Sequence, residues 1–574
     1  MKAEKGPTCH FWWILAKVIC IVGSVRTIDL EYSEIVKSRG SDETAFLLWG
    51  YDRKNQEIVL EVQVKKALWI SLGLSPDGSL NGSDFVIAGW HEEQVFIYIS
   101  AVDDLKDGYM TGDWPPEKDE SQDYKLMDLK NNDTHSFLRV WRKWFTCDPF
   151  DQDIENDTLR VIVIYGESND LTYTEDHFFY RPTFFLLVES VVENPSKVLS
   201  YDLKLNNFPI PDQDTTYACT FLPLPQVSTK HHIIMYEPMI DPKSVDIVHH
   251  ILIYTCANST EITFDVGDCY GSDVRFSQCM TPMLGWAVGG EAFYFPNTTG
   301  VSIGTEDDPQ YIRIEIHYSN FEEIEGIIDN SGIRILYTPE LREHDSAILM
   351  VGVFTFPLQF IPPGSKHFKN YGICDTSLIP EVLGKPVGDL TVTTFLLHAH
   401  LTARGIRIMH YRNDTLIGSL GEDNKYDFTL QQIRNLPGTV TIKMGDKIMV
   451  ECTGNTMDRE GTTYGGPSTM NEMCIGFLFY YPVIEMAACW SLVDINYITE
   501  ALGQEHTDSL IDAVLNLDSI EWDDELREIA QKAEIECNHI AIAQNRKGER
   551  INKTIPALPV SPPTSHACNK SLPP

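Results

Sequence analysis

Positive charge is scarce in this 574-residue chain: 45 Lys and Arg stand against 83 Asp and Glu, a formal net charge of −38. Such an excess repels phosphates and argues against nucleic-acid binding, while it suits solubility and the attraction of small cations. No GxSxG, HExxH, P-loop or GxGxxG sequence occurs, so the common hydrolase, zinc-protease and nucleotide-binding signatures are missing. No CxxC pair occurs among the 13 cysteines, which argues against a zinc ribbon. Apart from an N-terminal run, no stretch is long and apolar enough to span a membrane. Helical periodicity is scarce until the C-terminal part, and there is no short internal repeat.

At the N-terminus, Lys2 and Lys5 precede an apolar run at 11–25 that Lys17 interrupts, with Gly23 and Ser24 as small cleavage neighbours. Residues 1–25 are therefore read as a signal peptide, with a retained N-terminal membrane anchor as the alternative. Eight N-x-S/T sequons, at Asn81, Asn132, Asn156, Asn258, Asn297, Asn413, Asn552 and Asn569, predict a glycoprotein. Beyond Cys9 and Cys20, eleven scattered cysteines remain, which fits structural disulfides in an oxidising compartment. The expected location is the secretory pathway, lumenal (ER, Golgi or vesicle) or secreted. An odd number leaves at least one cysteine unpaired or bonded to another chain, the route to a homo-oligomer.

The length predicts several domains, and 43% hydrophobic residues suffice for sizeable cores. Alternating, β-branched runs such as Ile58-Val59-Leu60-Glu61-Val62-Gln63-Val64 make residues 28–165 an all-β unit. Residues 166–212, polar and Pro-containing toward their end, are read as a linker. The strand pattern resumes over 213–345 and 346–495. Residues 496–574 form a tail in which Leu510, Ile511, Val514 and Leu515, then Leu526, Ile529 and Ala533, fit amphipathic helices before a Pro-rich extended end.

Among 17 histidines, His398 and His400 are the most informative, since positions i and i+2 of a strand share a face. They read as a metal pair or as two partly buried sandwich histidines. Neighbours on a regular strand point oppositely, so His249 and His250 can meet one metal only on a distorted strand or through different ring nitrogens. His231-His232 has the same spelling, and spacing does not choose between these pairs. Glu315 and His317 share one face of Ile314-Glu315-Ile316-His317-Tyr318. Met473 reads either as core filler or as a soft thioether ligand suited to Cu(I).

Together these fragments resemble the copper type II, ascorbate-dependent monooxygenases, the family of dopamine β-hydroxylase. The matching segments run in family order: Asp214-Thr215-Thr216-Tyr217-Ala218-Cys219, Val248-His249-His250-Ile251-Leu252, Gly285-Trp286-Ala287-Val288-Gly289-Gly290, Glu315-Ile316-His317-Tyr318, Leu397-His398-Ala399-His400-Leu401-Thr402, and Glu472-Met473-Cys474. Gly73-Leu74-Ser75, Ser121-Gln122-Asp123-Tyr124 and Thr146-Cys147-Asp148-Pro149 resemble that family's DOMON domain, and the dopamine β-hydroxylase-like monooxygenase branch is the nearest match.

The resemblance implies an all-β fold: a DOMON β-sandwich, then two jelly-roll-like lobes and a short, partly helical tail. It implies two coppers per chain, one on His249, His250 and His317 for electron transfer, the other on His398, His400 and Met473 where oxygen is activated. His231 and His232 become structural. It implies ascorbate as electron donor, O2 as co-substrate and hydroxylation of a C–H bond in a small molecule. An amine is one candidate, because Glu315 could face a substrate cation; Glu315 could equally partner His317. The implied disulfides join Cys219 with Cys269, Cys256 with Cys279, Cys374 with Cys489, Cys452 with Cys474 and Cys147 with Cys568. The family cysteine expected shortly after Cys374 is replaced within Ser377-Leu378-Ile379, which leaves Cys537 as the odd thiol. Phe477 stands where the family commonly has a tyrosine lining the oxygen-activating site, removing a hydrogen-bond donor. Two other readings stay open: a non-catalytic copper- or ligand-binding relative, and a DOMON-led interaction protein.

Overall fold

The computed structural model describes residues 28–91, 94–96, 106–111, 114–168, 170–188, 195–256, 262–271 and 274–562. The expected signal peptide, Asn258, Asn569 and Cys568 lie outside the described residues. Among the described residues, no helix is long and apolar enough to cross a membrane.

The first unit is a twelve-stranded antiparallel sheet. Its strand Leu159–Gly166 is buried along its whole length between Trp69–Ser75 and Phe178–Thr183. Alternation divides its side chains. Val161, Val163 and Tyr165 join a core shared with Leu47, Leu60 and Leu138, whereas Ile162 and Ile164 pack against Trp69 and Phe85 on the other side. Strands distant along the hydrogen-bonded path share the first core, so the sheet curls into a sandwich.

The second unit pairs a six-stranded with a five-stranded sheet, and the third pairs a seven-stranded with a four-stranded one. The seven-stranded sheet is apolar on both faces. In Ala347–Val353, Leu349, Val351 and Val353 point into the third unit's own core, while Ile348 and Met350 point toward the second unit. In Cys474–Tyr481, Cys474, Leu478 and Tyr480 take the first side and Ile475, Phe477 and Phe479 the second. One continuous cluster therefore welds the two lobes together.

Two sequence expectations need correction. Residues 166–212 are not a plain linker. Phe178–Thr183 completes the first sheet and Leu199–Lys204 opens the six-stranded one. Polar and proline content hid these strands, although Phe178 and Phe179 are buried on opposite faces. Nor is the tail merely helical and extended. Its helices Leu510–Asp518 and Asp524–Glu536 are followed by His539–Asn545 and Arg550–Ile555, which extend the seven-stranded sheet from Met486–Val493. The helices start at Ser509 and Asp523, whose side chains accept from Asp512 N and Leu526 N, as N-caps do.

Cys219–Cys269, Cys256–Cys279, Cys374–Cys489 and Cys452–Cys474 are bonded. Cys147 is also in a disulfide. Cys537 is a free thiol buried among Ala530, Ala533 and Ile498, and burial pushes its pKa up. A thiol so enclosed and protonated is a poor partner for a second chain. The sequon asparagines Asn81, Asn132, Asn156, Asn413 and Asn552 are exposed, and Asn297 is half-buried.

His539 is buried on its strand with Nδ1 3.1 Å from Ser491 Oγ, and burial holds its pKa down to about 4. The unfolded chain takes up this proton below about 6.5, the folded chain only near 4, so stability rises with pH across that window. On that basis, acidification from about pH 7 to about pH 5 costs about 2 kcal/mol at this one group. His539→Asn is expected to lose about 2 kcal/mol less over the same interval in urea unfolding. Equal pH slopes for the two proteins would contradict this.

Candidate metal centres

The first cluster is built on the five-stranded sheet, where Tyr311–Ser319 lies between Thr215–Pro223 and Val248–Thr255. Val248 pairs with Tyr318 and His250 with His317, with a register shift between them. His249 is therefore the extra residue of a bulge, which re-aims side chains that a regular strand would send to opposite faces. His249 Nδ1 and His250 Nδ1 are 3.3 Å apart, and ligand atoms from His249, His250 and His317 all lie within 4.8 Å of one another.

Each ring is held from behind. Tyr217 stacks on His317 at 4.2 Å, and Thr469 Oγ1 lies 3.1 Å from His317 Nε2, placed to accept its proton. His317 Nδ1 is then buried with no hydrogen-bond partner, an arrangement costly unless the lone pair meets a cation. His250 Nε2 faces Glu315 Oε1 at 3.6 Å, beyond hydrogen-bond reach, and has no hydrogen-bond partner. Phe428 stacks on His249 at 4.2 Å. Burial first, then the neighbouring histidines, push His249 and His317 well below the ordinary imidazole pKa. Both are neutral at physiological pH, the form that binds metals.

The second cluster arises at the end of strand Leu390–Ala399. Leu396 points toward the second unit, so His398, two residues on, points the same way. His398 pairs across the ladder with Ile475, which shares that face, and Met473 precedes Ile475 by two. His398 and Met473 accordingly line one cavity, while Cys474, on the opposite face, is anchored by its bond to Cys452. His400 lies just past the strand, its ring 5.3 Å from that of His398. His398 Nδ1 donates to Gln431 Oε1 at 2.7 Å, leaving Nε2 free. His400 Nδ1 is 3.3 Å from the Asn471 carbonyl, and His400 Nε2 is buried without a partner. Burial holds the His398 pKa down to about 4 and that of His400 well below normal.

The two clusters adjoin across the lobe boundary, with the His250 and His398 rings 5.8 Å apart. Beside them opens a cavity of about 300 Å³ whose walls include Tyr254, Trp286, Phe477 and Trp490. Glu315 reaches this cavity, but Arg313 Nη2 sits 3.1 Å from its Oε2. Tyr270 also donates to it, and the histidine it faces is His250 rather than His317. Burial alone would raise its pKa; His250 and Arg313 outweigh that and hold it below the usual carboxylate value. Phe477 is buried on the cavity wall, 6.4 Å from the His398 ring.

His231 and His232 lie on the other sheet of the second unit. His231 Nδ1 is 2.7 Å from the Thr229 carbonyl, and His232 bridges Asp345 Oδ1 and the Arg342 amide. In the first unit, Asp84 is buried against Arg142 and Tyr124.

Sequence reasoning missed Gln431, Phe428 and Glu472. Gln431 and Phe428 stand in a segment with no strand or ligand pattern. Glu472 has a signal, an acid directly before Met473 within a buried run. Its Oε1 accepts from His400 N at 2.5 Å and Met473 N at 2.8 Å, and its Oε2 from Thr402 N at 3.0 Å. One carboxylate thus ties the backbone of two cluster residues.

These features define a class: an all-β protein whose two lobes each turn a group of buried histidines toward a shared cleft. Comparison with known families gives the same outline. Residues 201–325 match the N-terminal domain of the copper type II ascorbate-dependent monooxygenases, residues 344–502 the C-terminal domain, and residues 41–166 the DOMON domain. The chain is 40% identical to mouse DBH-like monooxygenase protein 2, covering 92% of this chain and 84% of that one. It is 35% identical to human DBH-like monooxygenase protein 1, covering 79% and 74%. With human dopamine beta-hydroxylase it shares 30% identity over 85% of this chain and 78% of the relative. The chain belongs to the copper type II, ascorbate-dependent monooxygenase family.

Removing the Glu472 carboxylate frees three backbone amides at once. Glu472→Ala is expected to weaken metal binding at the His398 side about 10–100-fold, as loss of such supporting contacts does. The His249 side should be unaffected, and copper titration by anaerobic calorimetry would separate the two. Equal weakening of both sites would sink this role.

Proposed function

We propose that this protein hydroxylates a C–H bond of a small, largely apolar molecule, with O2 as co-substrate and ascorbate as electron donor. Two coppers per chain would be held by His249, His250 and His317 and by His398, His400 and Met473. The observation that carries the reading is the pair of buried histidine groups beside one apolar cavity. Each contains a buried ring nitrogen without a partner, His317 Nδ1 and His400 Nε2. Imidazole suits both copper oxidation states, and the thioether of Met473 favours the reduced one. Bound copper supplies one-electron uptake from ascorbate and activation of O2, so that one oxygen atom enters the product and the other leaves as water.

The chain's own residues bind, orient and shield. Thr469, Gln431 and the Asn471 carbonyl are the groups that fix which nitrogen of His317, His398 and His400 stays free. Trp286, Phe477 and Trp490 line the cavity with apolar surface, which suits a substrate of similar character and keeps water from the reacting centre. The amine expectation rested on a Glu315 free to meet a substrate cation. With Arg313 on that carboxylate, the support for an amine is weak and an uncharged substrate fits better. The disulfides suit the oxidising lumen of the secretory pathway or its exterior.

A second reading, a copper-binding relative without turnover, is favoured by Phe477, which brings no hydroxyl to the cavity. Metal analysis and oxygen uptake decide between them. The purified protein is expected to hold two coppers, His398→Ala about one, and ascorbate-dependent oxygen uptake should rise with substrate in the first and be lost in the second. Full copper loading with no substrate-coupled uptake across a panel of neutral aromatic and amine compounds would favour the second reading. A chain that binds no copper would end both.

A further inference from the structure

One segment of the third unit, residues 428–431, reaches both histidine groups. Phe428 stacks on His249. Gln431 Oε1 accepts from His398 Nδ1 at 2.7 Å, and its Nε2 lies 3.3 Å from His249 Nε2 while donating to the Phe428 carbonyl at 2.9 Å. The Gln431 amide donates to the Val288 carbonyl of the second unit at 3.0 Å, and the Val288 amide to the His249 carbonyl at 2.8 Å. Close approach is built in here. Gly289 has φ +81°, and a Cβ at that position would sit 2.5 Å from the Thr429 carbonyl oxygen, so only glycine allows the segment to seat.

The residues leading into that segment are gripped by the DOMON domain. Arg160, buried on the central strand Leu159–Gly166, donates from Nε to Asp427 Oδ2 at 3.0 Å, from Nη1 to the Lys425 carbonyl at 2.5 Å and from Nη2 to the Tyr426 carbonyl at 2.8 Å. Tyr180 donates to the same Asp427 oxygen at 3.2 Å. Thr158 donates from N and Oγ1 to the two oxygens of Asp423 at 3.0 and 2.6 Å, and the Asn424 amide donates to Asp157 at 3.0 Å. Between the grip and the clusters stands Tyr426. Its hydroxyl accepts from the Ala399 amide at 3.1 Å and donates to the Ala399 carbonyl at 2.8 Å. Ala399 is the residue between His398 and His400.

We propose that the DOMON domain, through Arg160, positions the 423–431 segment and thereby sets the register between the two histidine groups. A buried guanidinium making several charge-assisted bonds to one short segment fixes its backbone in one geometry. That backbone carries Tyr426 to the strand end bearing His398 and His400, and Phe428 and Gln431 to His249. Arg160 is a positioning residue: it touches neither cluster and acts through the segment. The functional meaning rests on the copper reading above, because the groups it aligns are those that would exchange electrons.

The test uses the full chain and hydrogen–deuterium exchange. Arg160→Met and Asp427→Asn are each expected to speed exchange about 10-fold or more in peptides covering 426–433 and, in the other lobe, 286–290. Arg160→Lys, which keeps a cation beside Asp427, should restore part of the protection. Copper content should stay at the wild-type value, and in turning-over protein kcat should fall with the substrate KM unchanged. Should Arg160→Met loosen the DOMON sheet as a whole, Asp427→Asn, which lies outside that sheet, decides. Wild-type exchange in both peptides of Asp427→Asn overturns the proposal. The exchange result is independent of copper, so a chain that binds none would overturn the functional reading and leave this one standing or falling by itself.

Discussion

An imidazole has a single proton to place between two ring nitrogens, and crowding five of these rings into one cleft works only if that proton is directed away from the middle. All five are buried, and charging His249, His317, His398 or His400 would place an unsolvated cation beside the others. The surroundings answer this for three of the rings, with a hydroxyl for His317, an amide oxygen for His398 and a backbone carbonyl for His400. The lone pairs this leaves are what would let the cleft hold a metal, which a histidine-rich core could not do. Glu315 could serve a substrate cation only by giving up both Arg313 and His250.

The rings converge because of how sheets bury their faces. The seven-stranded sheet is apolar on both sides, so alternate residues of Leu390–Ala399 and Cys474–Tyr481 are committed to the lobe interface. His398 and Ile475 fall on that register, and Met473 follows from Ile475. On the facing sheet a single bulge brings His249 beside His250. Neither device is costly alone. Together they require the two lobes to dock in one arrangement, which the shared apolar cluster and residues 428–431 hold in place.

The DOMON domain and the C-terminal strands are part of the same arrangement. The first grips the segment that enters the cleft, and Arg550–Ile555 completes the sheet whose other strands carry His398 and lead on from Met473. The free thiol of Cys537 is a by-product of this packing. With no second cysteine shortly after Cys374, at Ser377-Leu378-Ile379, it stays buried among the tail helices as an ordinary small apolar group.

Strand alternation, the spacing of His398 and His400 and the order of family motifs were legible in the sequence, because each is written in neighbouring residues. So were the candidate ligands His249, His250, His317 and Met473, though only through resemblance, since spacing left His231-His232 as an equal rival. What spacing could not reach was the bulge at His249, a property of two strands pairing out of register. Phe178–Thr183 was hidden by its own polar and proline content, although it pairs with the neighbouring Leu159–Gly166, and His539–Asn545 lies beyond two helices from Met486–Val493, the strand it extends. Phe428 and Gln431 carry no local pattern at all, and Glu472 only its place directly before Met473. Their roles exist only once two lobes and the DOMON domain have met, for a hydrogen bond between residues some 180 positions apart, Gln431 and His249, is decided by packing and by nothing in either neighbourhood alone.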